Sequence, residues 1–273
     1  MTDHLHKGDE GLSRRQFLIR AGTSAAAGLV VVAGSASLLS SCAAPAPTAA
    51  QPQGTPTLPA QPTAAPALAQ AAGNSAWPWN YKKLDPELIR KTAHQAYYEA
   101  GCCYGAFHGI LSVLQKEVGA PFTSIPTQMM KYGEGGVVGW GTLCGALNGA
   151  SAAITLVSTD EDWKKLVNEL VGWYTGFKFP SDESNRYAEG GQFLVPKDKL
   201  KYAKALPQNA SKSPLCHASV TEWCRITGYS AGSNERKERC ARLTGDVAAY
   251  AVTLLNKQAD KTFAPVYKAP ADT

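Results

Sequence analysis

The chain has 273 residues, 44% hydrophobic and 18% charged, with a formal net charge of +5 and seven cysteines. A charge that small, with no Lys/Arg block interleaved with aromatics, argues against nucleic acid as a partner. No Ser/His/Asp arrangement, phosphate loop or paired-carboxylate signature stands out, which disfavours an ordinary hydrolase or nucleotide enzyme.

Residues 1–41 read as an export signal and not as part of the fold. Ser13-Arg14-Arg15-Gln16-Phe17-Leu18 is a twin-arginine pattern, followed by an apolar Ala/Gly-rich run from Ala21 to Leu39. Leu39-Ser40-Ser41-Cys42 resembles the bacterial lipobox, which makes Cys42 the expected lipidation site. The run is also long enough for a plain membrane anchor, but its Gly and Ser content and the tract behind Cys42 favour a lipoprotein. The expected location is extracytoplasmic (periplasmic), lipid-anchored on the outer face of the cell membrane, after export by a route that carries folded and often cofactor-loaded proteins. Residues 42–76 are Ala, Pro, Thr and Gln with almost no charge, too few large apolar groups to offset ordering entropy. They read as a disordered, semi-extended stalk.

Residues 77–257 are expected to form one mostly α, compact helical domain with long loops, followed by a tail over 258–273. Leu84-Asp85-Pro86-Glu87 is a helix start, with Asp as N-cap, Pro first in the helix and Glu in its first turn. Helical periodicity then runs from Leu88 to Lys116, interrupted by Gly101 and Gly105 around Cys102-Cys103, where a break or a close approach is expected. A loop over Pro121 to Pro126 leads to a short helical piece near Met129-Met130. The glycine-dense stretch from Gly133 to Gly141 allows positive backbone angles and inward-facing amides. It opens a buried, small-residue helix whose first turn carries Cys144. Ser158 to Asp162 cap an amphipathic helix from Trp163 to about Tyr174. Residues 178–214 read as loop, with a short helix near Lys197–Ala205. Ser219 to Thr227 form two turns closed by Gly228, and Ser233 opens a longer helix through Cys240 to Leu255. No stretch alternates as a strand does.

Six cysteines remain for the domain: Cys102, Cys103, Cys144, Cys216, Cys224 and Cys240. Thiols offer soft metal ligation and reversible redox chemistry. Cys144 and Cys216 lie at helix starts, where the positive dipole end favours thiolate. Cys216 and Cys224 are eight residues apart, a little over two turns, and so on roughly one face. Cys240 stands among Arg236, Lys237, Arg239 and Arg242; ordinary helix-surface charge is the simpler reading of any one of these arginines. Four thiolates are the usual complement of a two-iron or four-iron cluster, and Cys144, Cys216, Cys224 and Cys240 make a set, with Cys103 or Cys102 competing for one place. Disulfides, redox-active thiols, zinc and inert burial stay open, although zinc sites usually show C-x-x-C pairs and none occurs here.

Gly101-Cys102-Cys103, Gly135-Gly136, the run from Gly141 to Gly149 and then Cys216, Cys224 and Cys240 resemble the redox-active family named for its C, GCAxxG, C, C pattern. Within it they are most similar to the split-Soret cytochrome c-type branch. The resemblance covers about Pro86 to Asn256. Two departures stand out: the order at Cys144 is Cys-Gly-Ala-x-x-Gly, and no Cys-x-x-Cys-His occurs in the chain. Split-Soret cytochromes carry covalently attached haem and an iron–sulfur cluster. The resemblance therefore implies a cysteine-held iron–sulfur cluster, of the two-iron kind, more strongly than haem.

His94 and His108, fourteen residues apart, would share a face of an unbroken helix and are candidate cofactor ligands with Cys103. The resemblance suggests axial ligation of haem by them across a homodimer interface; buried histidines bonded to their surroundings are the competing reading. His217 reads as a group orienting Cys216. Trp140, Trp223 and Tyr97-Tyr98 read as core. The expected function is an exported, membrane-tethered electron-transfer protein serving an unidentified redox partner. The alternatives are a thiol–disulfide redox protein or sensor cycling Cys102-Cys103 through Cys144, and a disulfide-stapled structural lipoprotein.

Overall fold

The computed structural model describes residues 76–271. The expected signal, the lipidation site Cys42 and all but the last residue of the expected stalk lie outside the described residues. Six α-helices account for most of what is described: α1 (Pro86–Glu117), α2 (Gly145–Val157), α3 (Asp162–Gly176), α4 (Asp182–Gly190), α5 (Cys216–Thr227) and α6 (Asn234–Ala259). Two-residue strands β1 (Lys178–Phe179) and β2 (Asn209–Ala210) pair antiparallel. The mostly helical class is as the sequence indicates.

The helix starts are set by local chemistry. Asp85 accepts from the Glu87 N–H at 2.9 Å with Pro86 opening α1, and Ser233 accepts from the Arg236 N–H at 3.2 Å to open α6. Gly228 closes α5 in the left-handed conformation, φ 77°.

α1 is two helices joined by a sharp turn. Ala100 (φ −154°, ψ 32°) and Gly101 (φ 79°, ψ −173°) leave helical geometry, Gly101 in a region that side chains rarely enter. The halves then fold against each other. A methyl added at Gly109 would stand 2.6 Å from Ala93 Cα, and one at Gly105 3.1 Å from Ala93 O. In a straight helix those sixteen residues would span about 24 Å. The break thus falls at Gly101, whereas Gly105 serves close approach inside a continuous segment. For the same reason His94 and His108 share no face of one helix, contrary to the unbroken-helix expectation.

Around this hairpin pack α6, the main partner of α1, and α2, with α3 bridging α2 and α6. The core is a single large cluster that includes Ile110, Leu111, Leu114, Leu147, Ile154, Leu166 and Val252, all fully buried. Burial of each such side chain contributes about 1.5–3 kcal/mol. Two glycines of the small-residue run let α2 press on α1: a methyl at Gly145 would strike Cys102 Sγ and stand 2.6 Å from Gly133 O, and one at Gly149 would overlap Cys103 O. Gly149→Ala is therefore expected to cost about 1–3 kcal/mol by overpacking. A urea titration showing less than about 0.5 kcal/mol would mean the helices can part freely.

Segment 178–214 holds more order than a loop. Ser181 accepts from the Ser184 N–H at 3.0 Å to start α4, and Gly191 ends it at φ 65°. The expected helix near Lys197–Ala205 is a single 3-10 turn, Lys197–Lys199. α4 is tied down by buried polar groups. Asp246 of α6 accepts from Arg90 Nη1, Ser181 N (2.8 Å), Ser181 Oγ (2.6 Å) and Ser184 Oγ (2.6 Å). Past Ala259 the chain returns along α3, where Val266 N and Tyr267 N donate to Glu169 Oε2 at 2.7 and 3.0 Å. Among the described residues no helix is long and apolar enough to cross a membrane.

Candidate metal centre

Four thiols from four elements converge on one buried spot. Cys102 follows the Gly101 turn. Residues 135–139 all have positive φ, including Val137 (62°) and Val138 (49°), and this left-handed stretch brings the Gly135 amide to Cys102 Sγ. β-Branched residues at such angles are strained, so packing around the loop must impose them; Gly136, for instance, has room for no side chain, its added methyl falling 2.6 Å from Thr142 N and 2.9 Å from Cys216 Cβ.

Cys144 and Cys216 are set side by side by an antiparallel bridge, Leu143 to Leu215. The Cys144 N–H donates to Pro214 O at 2.8 Å and the Cys216 N–H to Thr142 O at 2.7 Å. This joins the N-terminal ends of α2 and α5, with Cys144 the N-cap of α2 and Cys216 the first residue of α5. Cys144 Sγ faces the amides of Ala146 and Leu147. Both helices thus point their positive ends at the same place. Cys240, in the second turn of α6, completes the group.

Cys102, Cys144, Cys216 and Cys240 line, with Tyr174, Ser219 and Arg239, a space of about 20 Å³, with Val220 and Leu243 as its apolar walls. That is room for about one water. Among the described residues no three His, Cys, Asp or Glu side chains stand close enough to chelate a single ion. A multi-iron cluster would require the thiols to turn outward.

Burial first, then the neighbouring Cys144, pushes the Cys102 thiol well above its usual range. Burial likewise raises Cys144, against opposing hydrogen bonds, and pushes Cys216 up to about 12. The wall opposite is cationic. Arg239 is 1% exposed and pairs with no carboxylate among the described residues. Its Nη2 donates to Ser219 Oγ at 2.9 Å, but its Nε is unpartnered. Tyr174, 0% exposed, faces Cys144 Sγ and Ser219 Oγ without closing a hydrogen bond to either. A buried cation and two orphaned donors beside four thiols fit an anionic guest. The surface-charge reading thus fails for Arg239 and for the fully buried Arg242.

The thiols that the structure brings together differ from the expected set at two places. Cys102 lines the cavity and Cys103 does not: consecutive helical residues point about 100° apart, and Cys103 Sγ packs on Gly133 instead. Cys224 does not line the cavity either. Eight residues keep it near the face of Cys216 but carry it about 12 Å along the axis, to the outer side of Cys240 beside Arg236. Sequence reasoning missed Tyr174 and Ser219 as cavity residues.

Neither histidine lines the cavity. His94 is fully buried, its Nε2 3.0 Å from Glu238 Oε1 and its ring stacked on Phe193 at 3.7 Å. Burial, opposed by Glu238, lowers its pKa. His108 Nδ1 meets Thr127 Oγ1 at 2.8 Å with its ring stacked on Tyr104. His217 is exposed. It lines, with Cys216, Glu134, Val138 and Arg236, an outer cleft of about 590 Å³. Cys216 and Val220 belong to both spaces. Trp140 is not core but 81% exposed, while Trp223 is fully buried and Tyr97 and Tyr98 are half-buried.

Residues 104–254 match the model of the family described as "Putative redox-active protein (C_GCAxxG_C_C)". The chain belongs to this family. The match holds Cys144, Cys216, Cys224 and Cys240 and begins just after Cys103. Split-Soret cytochrome c of Desulfovibrio desulfuricans is 37% identical over 188 residues, 68% of this chain and 63% of that protein. The chain thus spans a little under two thirds of that relative's length. A solved structure of the cytochrome, described as having a novel iron centre, superposes with a TM-score of 0.62 at 36% identity, covering 71% of this chain and 78% of that one. The chain is thus a member of a family described as redox-active and is similar to an iron protein.

Proposed function

We propose that the protein carries electrons through an iron–sulfur cluster held by Cys102, Cys144, Cys216 and Cys240. The observation that carries this reading is their convergence on one buried cavity walled by the uncompensated Arg239. The relative's iron centre supports it. Such a cluster, when bound, supplies electron transfer at a potential set by its surroundings. The chain's own part is to gather four sulfurs, offset their negative charge with Arg239 and the ends of α2 and α5, and exclude water. His94 and His108 act structurally in this reading, and haem has no assigned ligand. Delivery by the twin-arginine route and anchoring through Cys42 belong to the same proposal, as does an unidentified redox partner.

The thiol–disulfide alternative is weaker on the same geometry. All six cysteines among the described residues are free, and Cys102, Cys103 and Cys144 are buried, out of reach of a partner's disulfide. Anaerobic purification and reconstitution should yield iron and acid-labile sulfide together. Protein that takes up neither ends the proposal.

A further inference from the structure

Tyr174 and Arg239 are an expensive pair to bury. An unsatisfied donor costs about 1–3 kcal/mol and a buried unpaired charge more. Both residues are large, and α3 and α6 hold them against the same cavity, so neither can reach solvent. Arg239's remaining bond, to Ser219 Oγ, fixes the guanidinium with Nε left free. Tyr174 Oη is equally free beside Cys144 Sγ. Val220 and Leu243 add apolar wall, and with Cys102, Cys144, Tyr174 and Arg239 all buried, charge on that side of the space is weakly screened.

We infer that Tyr174 Oη and Arg239 Nε donate hydrogen bonds to the sulfur atoms of the cavity's anionic guest and so set its reduction potential. This rests on the iron–sulfur reading above. Reduction adds one negative charge to the guest, and donors and a fixed cation stabilise that added charge, which raises the potential. Both groups keep their protons throughout. They are positioning residues that act through hydrogen bonds and charge.

Three proteins test this: wild type, Tyr174→Phe, which removes only the hydroxyl, and Arg239→Lys, which keeps the charge but loses the Nε–H. Each is reconstituted anaerobically in H2O and in D2O, and iron, sulfide, midpoint potential and iron–sulfur vibrational frequencies are measured. The wild type should show a D2O shift in those frequencies. Each variant should lose part of it and be about tenfold harder to reduce, ~59 mV for one electron. Variants that load fully with unchanged potential and unchanged isotope shift overturn the inference and leave the iron–sulfur reading standing. If neither variant loads, the wild type decides alone, because no D2O shift there also overturns it. A wild type that takes up no iron and sulfide removes the reading and the inference with it.

Discussion

Cys102→Ser should leave the protein without iron, whereas Cys103→Ser and Cys224→Ser should keep it. The two neighbours in the vicinal pair differ by one helical step, which sends Cys102 into the cavity and Cys103 against Gly133. Losing a group that merely orients a ligand weakens metal binding about 10–100-fold, so losing a ligand should cost at least that. Serine is close in volume to cysteine, and Cys102 needs no larger group because Gly145 already crowds it. Iron and sulfide per chain after anaerobic reconstitution give the answer. Retention by Cys102→Ser with loss by Cys103→Ser would reassign the site to the other side of the helix.

The largest expected stability effect lies elsewhere. Asp246→Ala should destabilise the fold by about 3–5 kcal/mol, because it takes the buried acceptor from Arg90 Nη1, Ser181 N, Ser181 Oγ and Ser184 Oγ at once. Asp246 is 2% exposed and accepts from Arg90 and from three groups of the Ser181–Ser184 turn. Its removal unties α4 from α6 and leaves Arg90 only its Glu87 pairing. A shift of the urea midpoint at unchanged slope would report this. A loss below about 1 kcal/mol would mean water replaces the carboxylate there.

What was legible beforehand was local. Asp85-Pro86, Ser233 and Gly228 announce helix ends because capping is decided within a few residues. Cys144 at the start of a small-residue helix follows from the glycines around it. What stayed hidden depends on partners distant in sequence. Gly105 looks like a helix breaker, yet it and Gly109 are contact points of a hairpin whose other half lies around Ala93. α4 was passed over because its nine residues bury only one short face, although Ser181 with Asp182-Glu183, and Gly190-Gly191, mark both its ends. Spacing alone could not separate Cys102 from Cys103, since that depends on the angle at Gly101. Arg239 and Arg242 look like surface charge until the middle of α6 is seen packed into the interior. Trp140 errs the other way: a large aromatic in a glycine-rich stretch that packs against nothing.

No fragment of this chain owns the cavity. Its sulfurs arrive on α1, α2, α5 and α6, from positions 102 to 240, so a partly folded polypeptide has nothing with which to grip a guest. Assembly order follows from that topology: tertiary structure first, cargo second. A guest held by all four sulfurs should therefore raise the melting temperature as occupancy rises, while the unloaded protein still shows a folding transition of its own.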